Sequence, residues 1–180
     1  VGFPTDWAAS LRSAGAAAQI AFEPNAGLDS VRDDAYLRGF ARDAARAEMP
    51  VFLRFAGEFN GDWTRWSGNP AKYIEKWRLV HRVMREEAPN VAMVWTPNVI
   101  PEENIPSFYP GDDYVDWVGV NCYTVHHHNN SLEHPAEHEN PADMLRSIYE
   151  RYAKRKPIMI GEYAASHYCK ADNRELPEFA

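Results

Sequence analysis

The chain has 180 residues, which is enough for one domain with a substantial hydrophobic core. Its formal net charge is -7 and it has no run of Lys or Arg, so neither nucleic acid nor an anionic membrane is expected as a partner. No apolar segment is long enough to cross a membrane. Cys122 and Cys169 are too few for a disulfide framework; we expect two thiols, with one disulfide between them as the alternative.

Helix-like and strand-like segments alternate along the chain. Strands are predicted for five mainly apolar segments, namely Ala16–Phe22, Val51–Phe55, Val91–Thr96, Tyr114–Tyr123 and Pro157–Tyr163. Helices are predicted for Thr5–Ala14, Asp33–Ala47, a segment from Asn69-Pro70 to just before Pro89, and a segment that begins at Asn140-Pro141. The proline-rich connection before the fourth strand carries at most one short helix, near residues 105–108.

This alternation favours parallel βαβ units, arranged either as a (β/α)8 TIM barrel or as a doubly wound open sheet. No glycine-rich phosphate loop follows any strand, so we predict the barrel. A complete barrel typically needs about 250 residues. With about five strands, residues 1–180 are expected to form a single, partial barrel domain that is truncated at both ends. An open five-stranded fold is the alternative, but it would expose two edges of an apolar parallel sheet.

Polar side chains collect where the predicted strands end. In chain order they are Glu23, Glu58, Asn98, Asn121, Tyr123 and Glu162. In a barrel these positions meet at one rim, where the catalytic groups of such folds lie. Glu58 and Glu162 follow glycines at two strand ends, and retaining glycosidases use two carboxyl groups about 5–5.5 Å apart. Taken singly, each glutamate fits an ordinary exposed loop residue better; two of them at such strand ends, one followed by Asn-Gly-x-Trp-x-x-Trp, favour the catalytic interpretation.

Arg54 lies inside an apolar strand, where a charge needs a partner. We expect its guanidinium to contact the Glu162 carboxylate directly or through one water, while Glu58 has no such cation. Glu23 is a third carboxylate at the rim, and it is either a substrate-binding residue or an exposed loop residue.

The chain contains six Trp and nine Tyr, which fit either an aromatic core or a carbohydrate-binding cleft. Trp63 and Trp66 follow a strand in a polar, glycine-containing loop, so we expect them to be exposed to a ligand, where indole rings can stack on sugars. Trp95 and Trp117 lie within apolar strands and are expected in the core. The expected substrate-binding residues are Glu23, Arg54, Asn60, Trp63, Trp66, Asn98 and Tyr123.

Three segments carry a resemblance to a known family. Residues 54–66 (RFAGEFNGDWTRW), 109–123 (YPGDDYVDWVGVNCY) and 160–162 (IGE) resemble, in the right order, the acid/base, sixth-strand and nucleophile segments of glycoside hydrolase family 26. This is the family of β-mannanases and related endoglucanases and xylanases. The resemblance implies a catalytic (β/α)8 barrel of which the third to seventh strands are present. It also implies that Glu58 is the acid/base and Glu162 the nucleophile, held by Arg54 and Tyr123, with Trp63 as a sugar platform.

By the same resemblance, the partner is a polysaccharide, no cofactor or metal is needed, and the protein is secreted or otherwise extracytoplasmic; we expect a monomer. Many family members place a His just before the acid/base glutamate, where this chain has Gly57. Two functions stay open. One is a retaining endo-β-glycosidase, with β-1,4-mannan as the first candidate polymer and other β-glucans or xylans next. The other is a non-catalytic carbohydrate-binding protein of the same fold.

A polar loop before the last helix, here called the histidine loop, contains five histidines, at positions 126, 127, 128, 134 and 138. His134 and His138 have the i,i+4 spacing that places two metal ligands on one face of a helix. Pro135 and the neighbouring Asn and Glu residues disfavour a helix there. We therefore interpret the segment as a hydrophilic loop at the rim of the cleft and predict no metal site.

Overall fold

Five parallel strands form the sheet against which the helices pack. In the computed structural model, which describes residues 2–136 and 140–175, the strands are β1 (Ala18–Phe22), β2 (Val51–Phe55), β3 (Val91–Trp95), β4 (Trp117–Thr124) and β5 (Ile158–Ala165). The helices are α1 (Thr5–Ser13), α2 (Ala35–Arg46), α3 (Pro70–Glu87) and α4 (Pro141–Tyr152). Short 3-10 turns cover Leu28–Ser30, Ile105–Phe108, Asp112–Tyr114 and His128–Asn130. An antiparallel hairpin that the sequence did not predict, β6 (Tyr168–Cys169) and β7 (Arg174–Glu175), follows the sheet.

The strands lie side by side in chain order, and each pairs in parallel with the next. The sheet curls into a half-barrel with its helices, so the prediction of a partial (β/α)8 barrel with five strands is confirmed. On β2, Val51, Leu53 and Phe55 are fully buried and belong to the hydrophobic core. Because side chains alternate along a strand, Phe52 and Arg54 point to the opposite, inner face of the half-barrel. The site is built on that inner face.

Capping side chains explain where three of these four helices begin. The side chains of Asp34, Asn69 and Asn140 each accept a backbone N–H at the start of α2, α3 and α4. A proline at the first position helps α3 and α4, because it lacks the N–H that would otherwise stay unpaired. Helix α1 differs. Its sequence offers Thr5 or Asp6 as the predicted N-cap, but Pro4 takes that position and no side chain caps the helix, so this prediction is wrong.

An aromatic cluster anchors the chain just after β2. Phe59 is fully buried, with ring centroids 4.6 Å from Tyr73, 4.9 Å from Trp95 and 5.1 Å from Phe108. Burying a Phe side chain stabilises a fold by about 2–3 kcal/mol. Because Phe59 follows Glu58 directly, this cluster fixes the point from which the Glu58 side chain leaves the sheet.

Trp95 is fully buried, as expected for a core residue, but Trp117 is only partly buried. Trp117 pairs in register with Val94 and packs edge-on against Phe52, with ring centroids 5.4 Å apart. Its side chain therefore lies on the inner face of the half-barrel. The expectation of a core position for Trp117 is wrong, because the register of β4 turns this residue away from the helices.

The hairpin β6–β7 places Cys169 in a buried position beyond the sheet. Cys122 is buried on β4, and no disulfide joins the two cysteines, which agrees with the expectation of two thiols. Among the helices of residues 2–136 and 140–175, none combines the length and the hydrophobicity that crossing a membrane requires.

Candidate active site

The backbone after β2 takes an uncommon conformation. Ala56 and Glu58 have φ angles of 47° and 56°, in the left-handed region. This region costs an L residue about 1–2 kcal/mol. Two hydrogen bonds hold the segment, since Ala56 N–H donates to the Phe22 carbonyl at 3.0 Å and Glu58 N–H donates to the Thr96 carbonyl at 2.9 Å. The ends of β1 and β3 therefore decide the direction in which Glu58 points.

Trp66 supports the same loop from inside the protein. Its indole N–H donates to the Gly57 carbonyl at 2.7 Å, and the residue is only 6% exposed. The expectation that Trp66 is exposed to a ligand is wrong, because the loop turns the indole inward. One edge of the ring still lines the cavity that contains Glu58.

Three uncharged side chains donate hydrogen bonds to the Glu58 carboxylate. Trp63 Nε1 donates to Oε2 at 2.8 Å. The Nδ2 atoms of Asn98 and Asn121 donate to Oε1 at 3.1 Å and 2.9 Å. Within residues 2–136 and 140–175, no Lys or Arg forms an ion pair with Glu58. This carboxylate is therefore held in place by neutral donors.

Trp63 is 52% exposed, which leaves part of its ring surface open to a ligand, as expected. Its position depends on a neighbouring glycine. A Cβ atom built on Gly61 would lie 2.4 Å from the Trp63 ring, far inside van der Waals contact. The missing side chain of Gly61 thus allows the indole to lie across the backbone and reach Glu58.

Arg54 makes the contact with Glu162 that the sequence predicted. Its Nη2 lies 2.5 Å from Glu162 Oε1, while Nη1 donates to Asn121 Oδ1 at 3.1 Å. Arg54 is 9% exposed, so an unpaired guanidinium would be costly at this position. The ion pair with Glu162 and the bond to Asn121 together satisfy both terminal nitrogens of the buried charge.

Tyr123 provides the second donor to Glu162, from its hydroxyl to Oε2. Burial opposes ionisation of Glu162, but the hydrogen bonds from Tyr123 and Arg54 and the Arg54 charge outweigh it, so the pKa of Glu162 lies below its usual range. For Tyr123 itself, burial and the bond to Glu162 raise the pKa of the phenol well above its usual range. At neutral pH the pair is therefore a carboxylate that accepts from a neutral hydroxyl.

A β-bulge decides on which face of the sheet Glu162 lies. β4 and β5 pair regularly up to Val120 and Ile160, after which Asn121 pairs with Glu162. Gly161 is the extra residue, and it resets the alternation of side chains along β5. In a regular strand Glu162 would share the face of Ile160. The bulge places it instead beside Asn121 on the inner face.

Asn121 connects the two carboxylates. Its Nδ2 donates to Glu58 Oε1 at 2.9 Å, and its Oδ1 accepts from Arg54, which forms the ion pair with Glu162. Asn121 stands at a predicted strand end but outside the expected substrate-binding residues. Its spacing of two residues from Tyr123 along one strand is the signal that both share a face.

The two glutamates line one cavity of about 450 Å³ at the end of the strands. Trp63 and Tyr123 line it as well, and so does Glu23, the third carboxylate expected at the rim. The structure thus brings together in one cavity side chains from the ends of β1, β2, β4 and β5. No local sequence pattern relates these four strand ends to each other.

The cleft continues on the side of Glu58. A second cavity of about 550 Å³ shares Glu58 with the first and extends past Asn98 to His128 and His134 in the histidine loop. This placement agrees with a loop at the rim of the cleft. His138, the other member of the i,i+4 pair, lies outside the described residues.

Asn60 is not part of the cleft, contrary to expectation. It is 1% exposed, its Nδ2 donates to the carbonyls of Asn98 and Pro101 at 2.9 Å each, and its Oδ1 accepts from Asn98 N–H at 2.9 Å. All the hydrogen-bonding groups of this amide are thereby occupied inside the protein. Asn60 fixes the loop that carries Asn98, which in turn contacts Glu58.

Comparison with known proteins agrees with this geometry. Residues 26–146 match the family model of glycosyl hydrolase family 26, which is more than half of the chain. The chain belongs to glycosyl hydrolase family 26. This result confirms the resemblance seen in residues 54–66 and 109–123.

Relatives in family 26 differ in the polymers that their names give. A β-1,3-xylanase from a Vibrio species is 30% identical over 136 residues, covering 73% of this chain and 27% of that protein. A mannan endo-1,4-β-mannosidase from Caldalkalibacillus mannanilyticus is 26% identical over 150 residues, covering 72% and 26%. A solved GH26 β-mannanase from Bacteroides ovatus superposes with a TM-score of 0.64 at 18% identity, covering 89% of this chain and 55% of that chain, and it shares the fold. The chain thus spans about a quarter of these two curated relatives.

Gly57 stands where the resemblance described above implies a His. It lines the cavity next to Glu58. A Cβ atom at this position would lie 3.5 Å from the Thr96 carbonyl oxygen, an ordinary van der Waals contact, and the φ angle of Gly57 is outside the left-handed region. Neither space at Cβ nor the backbone requires glycine. Gly57 therefore leaves the cavity wall open where a side chain would fit.

Proposed function

We propose that this protein is a retaining endo-β-glycosidase that hydrolyses a β-linked polysaccharide by double displacement. The supporting observation is the difference between two carboxylates at one cavity: Arg54 and Tyr123 bind Glu162, whereas only neutral donors bind Glu58. A carboxylate paired with a cation suits a nucleophile, and a carboxyl group without a cation suits a proton donor. For a retaining enzyme we expect the two carboxyl groups to lie about 5–5.5 Å apart, and this separation stays a prediction.

In the first step, an oxygen of Glu162 attacks the anomeric carbon while the bond from that carbon to the glycosidic oxygen breaks. Glu58 gives its proton to the departing oxygen, so the leaving group departs as a neutral alcohol. The product is a glycosyl ester on Glu162. Arg54 and Tyr123 hold the attacking carboxylate in one orientation, so little rotational freedom is lost when the bond forms.

In the second step, Glu58 takes a proton from a water molecule whose oxygen attacks the same anomeric carbon. The ester bond to Glu162 breaks, and its electron pair returns to the carboxylate beside Arg54. Two inversions give a product with retained configuration. The hydrogen bonds from Trp63, Asn98 and Asn121 hold the Glu58 carboxylate in position for this proton transfer.

We propose β-1,4-mannan as the first substrate to test, with β-glucans and xylans next. The named activities of the relatives include both a mannanase and a β-1,3-xylanase. The two adjoining cavities suit several sugar units of a polymer, which favours cleavage within a chain. Trp63 is the proposed platform for stacking a sugar ring beside Glu58, and Glu23 and Asn98 line the cavities where they could bind hydroxyl groups.

These proposals concern the whole protein, because the chain spans only about a quarter of the two curated relatives described above. The double displacement uses two carboxyl groups and water, and needs no cofactor. We propose an extracytoplasmic location, because a polysaccharide of this class does not cross membranes. The monomeric state expected from the sequence stays a prediction.

The kinetics of two variants test the proposal. Glu162→Ala is expected to abolish turnover of every substrate, because no glycosyl ester can form. Glu58→Ala is expected to release a burst of dinitrophenol from a dinitrophenyl β-mannoside, since this leaving group needs no proton, and then to stall at the ester. Added azide should restore turnover of Glu58→Ala and yield a β-glycosyl azide with retained configuration. In Glu162→Ala, azide can only replace the nucleophile and should give the inverted product.

Glu150→Ala on α4 is the matched control, because it removes an exposed glutamate away from the cavity. It should behave like the parent protein. Exchanged azide products would show that the two roles are reversed, and near-normal rates in both active-site variants would remove these glutamates from the mechanism. A folded parent protein that binds mannan, glucan or xylan but releases no reducing ends would favour the carbohydrate-binding alternative.

A further inference from the structure

Two adjacent histidines and an aspartate from a distant segment converge beside the histidine loop. His126 Nε2 lies 3.3 Å and His127 Nε2 lies 3.6 Å from the same oxygen, Oδ2 of Asp172. The three potential ligand atoms all lie within 4.8 Å of one another. Asp172 belongs to the hairpin segment between β6 and β7, more than forty residues further along the chain. We propose that these three side chains bind a zinc ion.

The two distances that end at Asp172 fit a tetrahedral zinc centre. Zn–N and Zn–O bonds are about 2.0–2.1 Å long, so two ligands of a tetrahedral zinc ion lie about 3.3–3.4 Å apart. The distances of 3.3 Å and 3.6 Å from Asp172 Oδ2 to the two imidazoles are close to this value. Imidazole together with carboxylate is a ligand set for zinc rather than for calcium or magnesium, which prefer oxygen ligands alone. Three protein ligands leave the fourth position for water.

Hydrogen bonding alone explains this cluster poorly. The His127–Asp172 distance of 3.6 Å is longer than a hydrogen bond. The His127 side chain is only 11% exposed, and its buried Nδ1 has no hydrogen-bond partner within the described part of the chain. Burying an imidazole with so little compensation is unfavourable. A zinc ion at Nε2 would bind the ring through its other nitrogen and hold together two rings whose centroids are 4.6 Å apart.

Cys169 supports the carboxylate. A hydrogen bond from its buried thiol reaches Asp172. The thiol does not belong to the group of mutually close ligand atoms, so it orients the carboxylate rather than binding the ion. Hydrogen bonds of this kind to a ligand are a general feature of zinc sites.

The proposed ion would join two segments that the sheet does not connect. The histidine loop is closed on itself, because His127 pairs with Pro135 and Ala136 N–H donates to the His126 carbonyl at 2.9 Å. The same loop presents His128 and His134 to the cleft. A zinc ion shared with Asp172 would fasten this cleft wall to the hairpin β6–β7. The site is independent of the proposed glycosidase activity, since none of its ligands lines the cavity of Glu58 and Glu162.

Metal content and thermal unfolding of the purified protein test this site. After treatment with a chelator and titration with Zn²⁺, we expect one bound zinc per chain by calorimetry and by elemental analysis. Zinc binding only to the folded state should raise the unfolding temperature. His127→Ala and Asp172→Asn should each weaken zinc binding at least tenfold. His167→Ala is the matched control, because it removes an exposed histidine just before the hairpin and should leave zinc affinity unchanged.

Cobalt substitution gives a readout that needs no mutation. A tetrahedral Co²⁺ site with this ligand set should produce visible absorption bands, which disappear on addition of one equivalent of Zn²⁺. The proposal is overturned if the wild-type protein binds less than one zinc per chain, or if zinc affinity is the same in the wild type and in both ligand variants. Octahedral cobalt spectra with weak absorption would also overturn the tetrahedral assignment.

Discussion

The hydroxyl of Tyr123 offers a direct test of how the charge on Glu162 is controlled. Tyr123→Phe removes the donor to Oε2 and leaves the ring and the Arg54 ion pair in place. A hydrogen bond to a charged group contributes about 1.5–3 kcal/mol. The Glu162 side chain is 42% exposed, so solvent screening favours the lower end of this range or slightly less. About 1.4 kcal/mol corresponds to one pH unit in the titration of the carboxyl group.

The sign follows from the direction of the pKa. The donors hold the pKa of Glu162 below its usual range, so removal of one donor raises it. Because the nucleophile must be ionised, the acidic limb of the kcat/KM profile should move to higher pH by about one unit. The stability that Glu162 contributes is present above the pKa of the unfolded chain and is lost as the pH falls through the folded pKa. The variant should therefore lose less stability than the parent protein on acidification below about pH 4.3.

The assay measures kcat/KM for a dinitrophenyl β-glycoside across the acidic pH range. This substrate is chosen because its leaving group needs no proton donor. Unfolding by urea at neutral and acidic pH measures the stability. Tyr149→Phe is the control, because it removes an exposed hydroxyl on α4. An acidic limb that stays in place while the rate falls would refute the reasoning, since the hydroxyl would then act on the substrate or on geometry rather than on the charge of Glu162.

Three further predictions concern the backbone and the glycines of the site. Gly61→Ala should displace the Trp63 ring, whose nearest atoms lie 2.4 Å from the new methyl position. It should lower kcat/KM at least tenfold and change the free energy of unfolding in urea only slightly. An unchanged indole fluorescence spectrum and an unchanged rate would contradict this prediction. Glu58→Gly and Glu58→Ala both remove the carboxylate. Because φ is 56° at this residue, a conformation that glycine adopts without strain, the glycine variant should be more stable to urea by about 0.5–1 kcal/mol. Equal stabilities would mean that the backbone is not strained there. Gly161→Ala places a methyl group 2.7 Å from Asn121 Oδ1 and 3.0 Å from Arg54 Nη1. The free energy of unfolding should therefore fall by about 1–3 kcal/mol, and kcat should fall more than KM changes. A wild-type kcat would show that these two side chains can move without effect on the reaction.

Local patterns in the sequence were sufficient to predict the five sheet strands and the four helices, but not the β6–β7 hairpin. The apolar run Val51–Phe55 is a strand with those bounds, and Asn69 followed by Pro70 starts α3 as predicted. Such signals need only neighbouring residues, because capping and the burial of alternating side chains are local effects. The charge of Arg54 inside an apolar strand was sufficient to predict a carboxylate partner, since a buried guanidinium cannot stay unpaired. The choice of Glu162 as that partner also needed the barrel topology.

Only the tertiary structure decided which side chains meet and which way they point. The bulge at Gly161 turns Glu162 onto the face of Asn121, and Trp66 turns inward although its sequence context matches that of Trp63. The approach of His126 and His127 to Asp172 is likewise invisible in the sequence, because it depends on how a loop and a hairpin pack beyond the sheet. Sequence spacing sets the period of side chains along one strand or helix. The direction of a side chain after a bulge, and its contacts with distant segments, depend on hydrogen bonds and packing between strands that no local pattern contains.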